Sequence, residues 1–133
     1  MADKIAFELV SPDRLLVSEQ VDMVTIPGGE GDFGVLVGHQ PMISTVRPGI
    51  LEVQNEGAPM RRIFVTGGFA EVTNERCAVM TEEAIPVDEI DRAQLEQRIK
   101  DAEEDLAAAR SDHQRATLEI QVATLKGMLQ ATT

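Results

Sequence analysis

The sequence predicts a mixed α+β chain: an N-terminal antiparallel β-sandwich, or flattened barrel, over residues 1–87, then a C-terminal antiparallel two-helix hairpin over residues 88–133. Three observations predict it. Short apolar runs with period-2 alternation recur from Lys4 to about Val87, set apart by Gly, Pro, Asn and Asp clusters. After Pro86 the β-rich runs stop, and Ala, Glu, Gln, Leu and Arg, all good helix formers, take over. Within that tail, two apolar stripes at helical spacing flank one short connection.

In order along the chain, Ile5, Phe7 and Leu9 alternate with Ala6, Glu8 and Val10, the pattern of a strand with one face in a core. Val21 to Ile26, Gly34 to Val37, Ile43 to Val46, Ile50 to Val53, Arg62 to Thr66, Phe69 to Thr73 and Cys77 to Met80 read as further strands. Ser11-Pro12-Asp13, Pro27-Gly28-Gly29, Arg47-Pro48-Gly49, Asn55-Glu56-Gly57 and Gly67-Gly68 supply turns between them. In the tail, Leu95, Ile99, Ala102, Leu106 and Ala109 share one helix face, and Leu118, Val122, Leu125 and Leu129 share another. Asp88 or Asp91 caps the first helix, and Ser111 with Gln114 forms a capping box for the second. The stripes are narrow, so the hairpin is expected to lean on the sandwich or on a partner.

Composition narrows the function classes. The 133 residues make about one domain with a small appended element, and four Phe without Trp or Tyr imply an aliphatic core. A net charge of −11 argues against nucleic acid or anionic lipid as a partner. The single cysteine, Cys77, permits neither an internal disulfide nor a thiolate metal cluster and reads as a buried, inert thiol. No apolar stretch approaches the ~18 residues of a membrane span. Asp3 and Lys4 without an apolar run after them resemble neither a secretory signal nor a transit peptide. The expectation is a cytosolic chain, or one held at a membrane through partners, without direct insertion.

No catalytic motif is present: no G-x-S-x-G, no phosphate loop ending in Gly-Lys-Ser/Thr, no H-E-x-x-H and no CxxC. His39 and His113 lie in different halves without a second ligand at helical spacing, so neither a metal nor a catalytic residue is assigned. Gly29, Gly31 and Gly34 fall at the G-x-G-x-x-G spacing of a dinucleotide site. That site needs a helix after the third glycine to face the pyrophosphate. Here Val35-Leu36-Val37 and Pro41 follow, which is strand chemistry, and Glu30 and Asp32 put carboxylates where a phosphate would sit.

The same stretch, Gly28-Gly29-Glu30-Gly31-Asp32-Phe33-Gly34 followed by Val35-Leu36-Val37-Gly38-His39-Gln40-Pro41, resembles the epsilon chain family of bacterial F-type ATP synthases. Phe7-Glu8-Leu9-Val10-Ser11-Pro12-Asp13, Arg47-Pro48-Gly49-Ile50-Leu51-Glu52-Val53 and Gly67-Gly68-Phe69-Ala70-Glu71-Val72 extend the likeness in order, with a helical tail of suitable length. The resemblance implies a non-catalytic rotor subunit of the central stalk, joining the γ subunit to the membrane c ring and passing proton-driven rotation to the catalytic head. It implies that Glu30 and Asp32 face the c ring and that His39 faces γ; hydrogen-bonding its own turn is an equally open role for His39. The family's nucleotide motif places an aliphatic residue and Asp before two free positions and Arg-Ala. This chain has Asp88 and Glu89 before Arg92 and Ala93, so Glu89, Arg92 and Ala93 are the candidate site for ATP as a regulatory ligand, and no cofactor is required. Family members can also reach the α/β catalytic head with the C-terminal helix. Here Arg115 and Lys126 are offset by Asp112 and Glu119, which predicts feeble inhibition or none. The implied location is the cytoplasmic face of a bacterial inner membrane, held peripherally; the mitochondrial delta subunit shares the architecture. Two other classes stay open: a free-standing interaction adaptor, and a small ATP-sensing module.

Overall fold

A computed structural model describes residues 3–132. They form two compact units, divided between Pro86 and Val87. The first unit is a curled sheet of ten strands among the described residues: β1 (Ile5–Val10), β2 (Leu15–Val21), β3 (Met23–Gly28), β4 (Gly31–Val35), β5 (Met42–Val46), β6 (Gly49–Gln54), β7 (Arg61–Val65), β8 (Gly68–Val72), β9 (Arg76–Thr81) and β10 (Ala84–Pro86). The hydrogen-bonded order is β10-β7-β6-β3-β5-β8-β9-β1-β2, with β4 paired to β3. All of these pairings are antiparallel except β1 with β9, which runs parallel, with Phe7 opposite Cys77 and Leu9 opposite Val79.

Alternation puts one side of every long strand into a common core. Ile5, Phe7 and Leu9 point inward from β1, and Val24 and Ile26, Leu51 and Val53, Val72 and Val79 meet them from the other strands, all at most 1% exposed. Apart from Phe7 and Cys77 the core cluster is aliphatic, as the composition implied. Cys77 is fully buried there, and burial pushes its thiol pKa up to about 12, which makes it the inert thiol expected.

Four strand assignments change. β2, not read from the sequence, carries Ser18, Glu19 and Gln20, which hide its period; Glu19 shares the parity of inward Val17 and Val21 and ion-pairs with Arg61 of β7. Val21 ends β2, and β3 begins only after Asp22, so Val21 to Ile26 is not one strand. The fourth strand runs over Gly31–Val35 rather than Gly34 to Val37, because Gly29 and Glu30 close a two-residue hairpin from β3; Leu36 and Val37 lie beyond it, exposed. β10 is three residues ending in proline, too short for a periodic signal.

The second unit holds a 3-10 turn (Val87–Glu89) and two helices, α1 (Arg92–Ala107) and α2 (Asp112–Gln130), that pack on each other. Asp91 caps α1, its carboxylate accepting from the Gln94 amide at 3.1 Å. Ser111 caps α2 in the same way, accepting from Gln114 at 3.1 Å. The Gln114 side chain reaches back to the amide of Arg110, one residue before the cap, at 3.0 Å. Leu95, Ile99 and Ala102 are buried on α1, as are Val122 and Leu125 on α2; there Met128, rather than Leu129, completes the buried stripe.

Candidate partner-binding surface

Two surface features of the sandwich unit lie outside its core. The first is the β3–β4 hairpin tip. Gly28 pairs with Gly31, so Gly29 and Glu30 form the turn itself and Glu30 stands at its end, exposed. The tip is strapped to β5 and the residue after it: the Gly29 amide donates to the Thr45 carbonyl at 2.9 Å, and the Arg47 amide to the Pro27 carbonyl at 2.8 Å. The Arg47 guanidinium ion-pairs with Asp32 and also donates to the Gly28 carbonyl. Gly28 is required here, since a Cβ would sit 2.7 Å from the Gly31 carbonyl and 2.8 Å from the Phe33 ring.

Beside the tip opens a cleft of about 560 Å³, lined by Glu30, Asp32, Phe33, His39, Met42, Ile43 and Thr45 among others. Glu30, Asp32 and His39, assigned from the sequence to two different partners, therefore line one cleft. His39 is half-buried: its Nδ1 donates to the Gln40 carbonyl at 2.7 Å, and its ring tilts against Phe33 with centroids 6.4 Å apart. With a carbonyl as acceptor, Nδ1 carries the proton and Nε2 is the nitrogen left for another group. The turn-bonding role is thus realised, and the ring still borders the cleft.

The second feature is an apolar row on the outer face of the sheet. Register places Thr45, Phe69, Met80, Val10 and Leu15 side by side across β5, β8, β9, β1 and β2. Phe69 and Leu15 are each 55% exposed and Met80 43%. The adjacent row is Ile43, Glu71, Ala78, Glu8 and Ser18, in which Ile43 is 75% exposed. Thr45 and Ile43 belong both to these rows and to the cleft, so the two features are continuous. Arg76 donates from Nε to Glu8 at 2.7 Å beside the apolar row, and that hydrogen bond holds the Glu8 carboxyl below its usual range.

Sequence reasoning missed this row. Its signal was present: in Gly68-Phe69-Ala70-Glu71-Val72 the inward positions are Ala70 and Val72, so the largest side chain of the strand occupies the solvent parity. Single exposed apolar residues are ordinary, but several adjacent ones across neighbouring strands mark an interaction site.

In the helical unit, Glu89 is exposed in the 3-10 turn, and Arg92 and Ala93 open α1. The Arg92 guanidinium donates to Thr132 Oγ1 at 2.6 Å, tying the start of α1 to the end of α2. Lys126 pairs with Glu103 at 3.1 Å and Arg115 with Asp112 at 3.0 Å. Among the described residues no group of three or more His, Cys, Asp or Glu could hold a metal, and no helix is long and apolar enough to cross a membrane.

Residues 4–87 match the family described as ATP synthase, Delta/Epsilon chain, beta-sandwich domain, and residues 91–133 match the C-terminal domain of the ATP synthase epsilon chain. The protein is 55% identical over 115 residues to the ATP synthase epsilon chain of Parvibaculum lavamentivorans, covering 86% of this chain and 87% of that one. It is 54% identical over 134 residues to that of Rhodospirillum centenum, covering 97% and 92%. Among solved structures, a chain of the Euglena gracilis mitochondrial ATP synthase OSCP/F1/c-ring assembly superposes with a TM-score of 0.80 at 30% identity, over 100% of this chain and 84% of that one. A chain of the Tetrahymena thermophila mitochondrial ATP synthase central stalk and c ring shares the fold, with a TM-score of 0.69 at 15% identity, covering 99% and 98%.

Proposed function

Because the chain belongs to the ATP synthase epsilon chain family, we propose that it couples rotation to synthesis as a non-catalytic link between the γ subunit and the c ring. It is a central-stalk subunit of an F-type ATP synthase. The observation that carries the finer reading is the exposed apolar row running into the acidic cleft. An apolar strip with charges at its edge suits a stable protein interface, whose desolvated centre supplies affinity and whose rim sets register. The row takes γ, with Nε2 of His39 bordering that contact, and the tip carrying Glu30 and Asp32 meets the polar loops of the c ring. A sheet hydrogen-bonded through nine strands in sequence is stiff, which a part transmitting torque requires.

ATP at Glu89, Arg92 and Ala93 has a regulatory place in this scheme. Phosphate has to displace Thr132 from Arg92, so binding reports on the contact between the two helix ends. The hairpin restrains hydrolysis weakly, a reading supported by Arg115 and Lys126, whose charges are already paired inside it. The place of work is the cytoplasmic face of a bacterial inner membrane, held there by partners.

The decisive experiment is size-exclusion chromatography of this chain with γ from the same source. Coelution as a one-to-one complex, weakened by H39A and unaffected by H113A, is the expected result. No complex with well-folded γ overturns the assignment of the row.

A further inference from the structure

The two carboxylates of the hairpin tip do different work. Glu30 makes no hydrogen bond or ion pair among the described residues, whereas Asp32 is held by Arg47. Arg47 reaches the tip from just past the end of β5: its backbone amide binds Pro27, and its guanidinium bridges the Gly28 carbonyl and the Asp32 carboxylate. Pro27 and Asp32 face each other across the hairpin, so one side chain holds both strands just below the turn. Asp32 is spent on this bridge, and a single uncompensated negative charge, Glu30, remains at the turn.

We propose that Arg47 is a positioning residue, which with Asp32 forms a strut aiming Glu30 at a cationic side chain of the docking partner. The proposal rests on the reading that this tip meets the c ring. Arginine suits the role because its planar fork can donate to two acceptors at once, which a lysine ammonium does with less geometric control. Glu30 is the encounter and register charge, and Asp32 is internal to the chain.

A charge-only account and a strut account make opposite predictions. Removing Arg47 exposes a second negative charge at the tip, so attraction to a cationic partner rises at low salt if charge alone matters. If the strut positions Glu30, binding falls instead. The experiment immobilises the detergent-solubilised c ring of the same synthase and measures binding of the γ complex of this chain by interferometry, from low to high salt.

The expected results are specific. E30Q weakens binding about two- to fivefold at low salt and flattens the salt dependence, the scale of an exposed ion pair. R47A weakens binding by up to as much as E30Q does, about two- to fivefold, because its effect passes through Glu30. D32N weakens it as well, and adding D32N to R47A costs nothing further, because the two act as one unit. D32N preserves shape, so it serves if R47A fails to fold, with circular dichroism and melting checked for each variant. Tighter low-salt binding by R47A, or R47A and D32N both equal to the unsubstituted chain, overturns the strut while leaving the c-ring contact intact. Failure of the unsubstituted γ complex to bind the c ring overturns the contact itself, and the strut's role with it.

Discussion

Replacing Phe69 by threonine tests the apolar row at its centre. Threonine is β-branched and, like phenylalanine, favours strands, so the sheet should tolerate it. Phe69 is 55% exposed in the isolated chain. An aromatic side chain offers roughly 200 Å² to bury, so about 110 Å² remains for a partner to cover. At about 25 cal/mol per Å², covering it contributes about 3 kcal/mol, and losing it corresponds to about a hundredfold in Kd. Buried area converts to affinity incompletely, which puts the expected loss between about ten- and a hundredfold. Isothermal titration against γ reads the affinity, and thermal melting of the free chain reads the fold. Met60, 48% exposed but outside the row, provides the control M60T, which should leave the affinity unchanged. The reasoning is refuted if F69T melts normally and binds γ within about threefold of the unsubstituted chain, or if M60T weakens γ as much as F69T does.

Other consequences follow from the fold itself. G68A should cost upwards of about 3 kcal/mol, since φ there is +144° and a Cβ would land on the Met80 carbonyl oxygen. G57A, at φ +81° with open space around it, should cost about 1 kcal/mol, and urea denaturation separates the two. S111A removes the acceptor that caps α2 and should lower helical stability by about 1 kcal/mol, seen as earlier loss of the 222 nm signal on heating. Cys77, with its thiol pKa raised to about 12, should resist thiol reagents in the native state at pH 8 and react fully once unfolded. Its neutral form is favoured by folding, so that contribution is fully present below the unfolded thiol pKa, near 9, and is lost as pH rises from there through about 12. Alkaline melts of C77A should show a shallower fall over that window, and an equal fall would refute the account.

Local chemistry was enough to announce much of this protein. The inward parity of Ile5, Phe7 and Leu9, the helical spacing of Leu95, Ile99 and Ala102, and the cap at Ser111 depend on neighbours a few residues away, so the chain spells them out; for the first helix it offered Asp88 or Asp91, and the fold took Asp91. The glycine-rich tip and its carboxylates were legible for the same reason: a two-residue turn is a local event. What depended on distant partners was not. β2 conceals its period behind Glu19, whose inward place makes sense only once Arg61 arrives from the other end of the strand order. The parallel meeting of β1 and β9 has no local signature, yet it sets Val10 beside Met80 and so completes the apolar row. Arg47 read as part of a turn until the fold carried its guanidinium back to Asp32 and Gly28. Periodicity tells each residue which way to face, but only the closing of the sheet decides which residue stands next to it, and a surface that recognises a partner is made of such adjacencies.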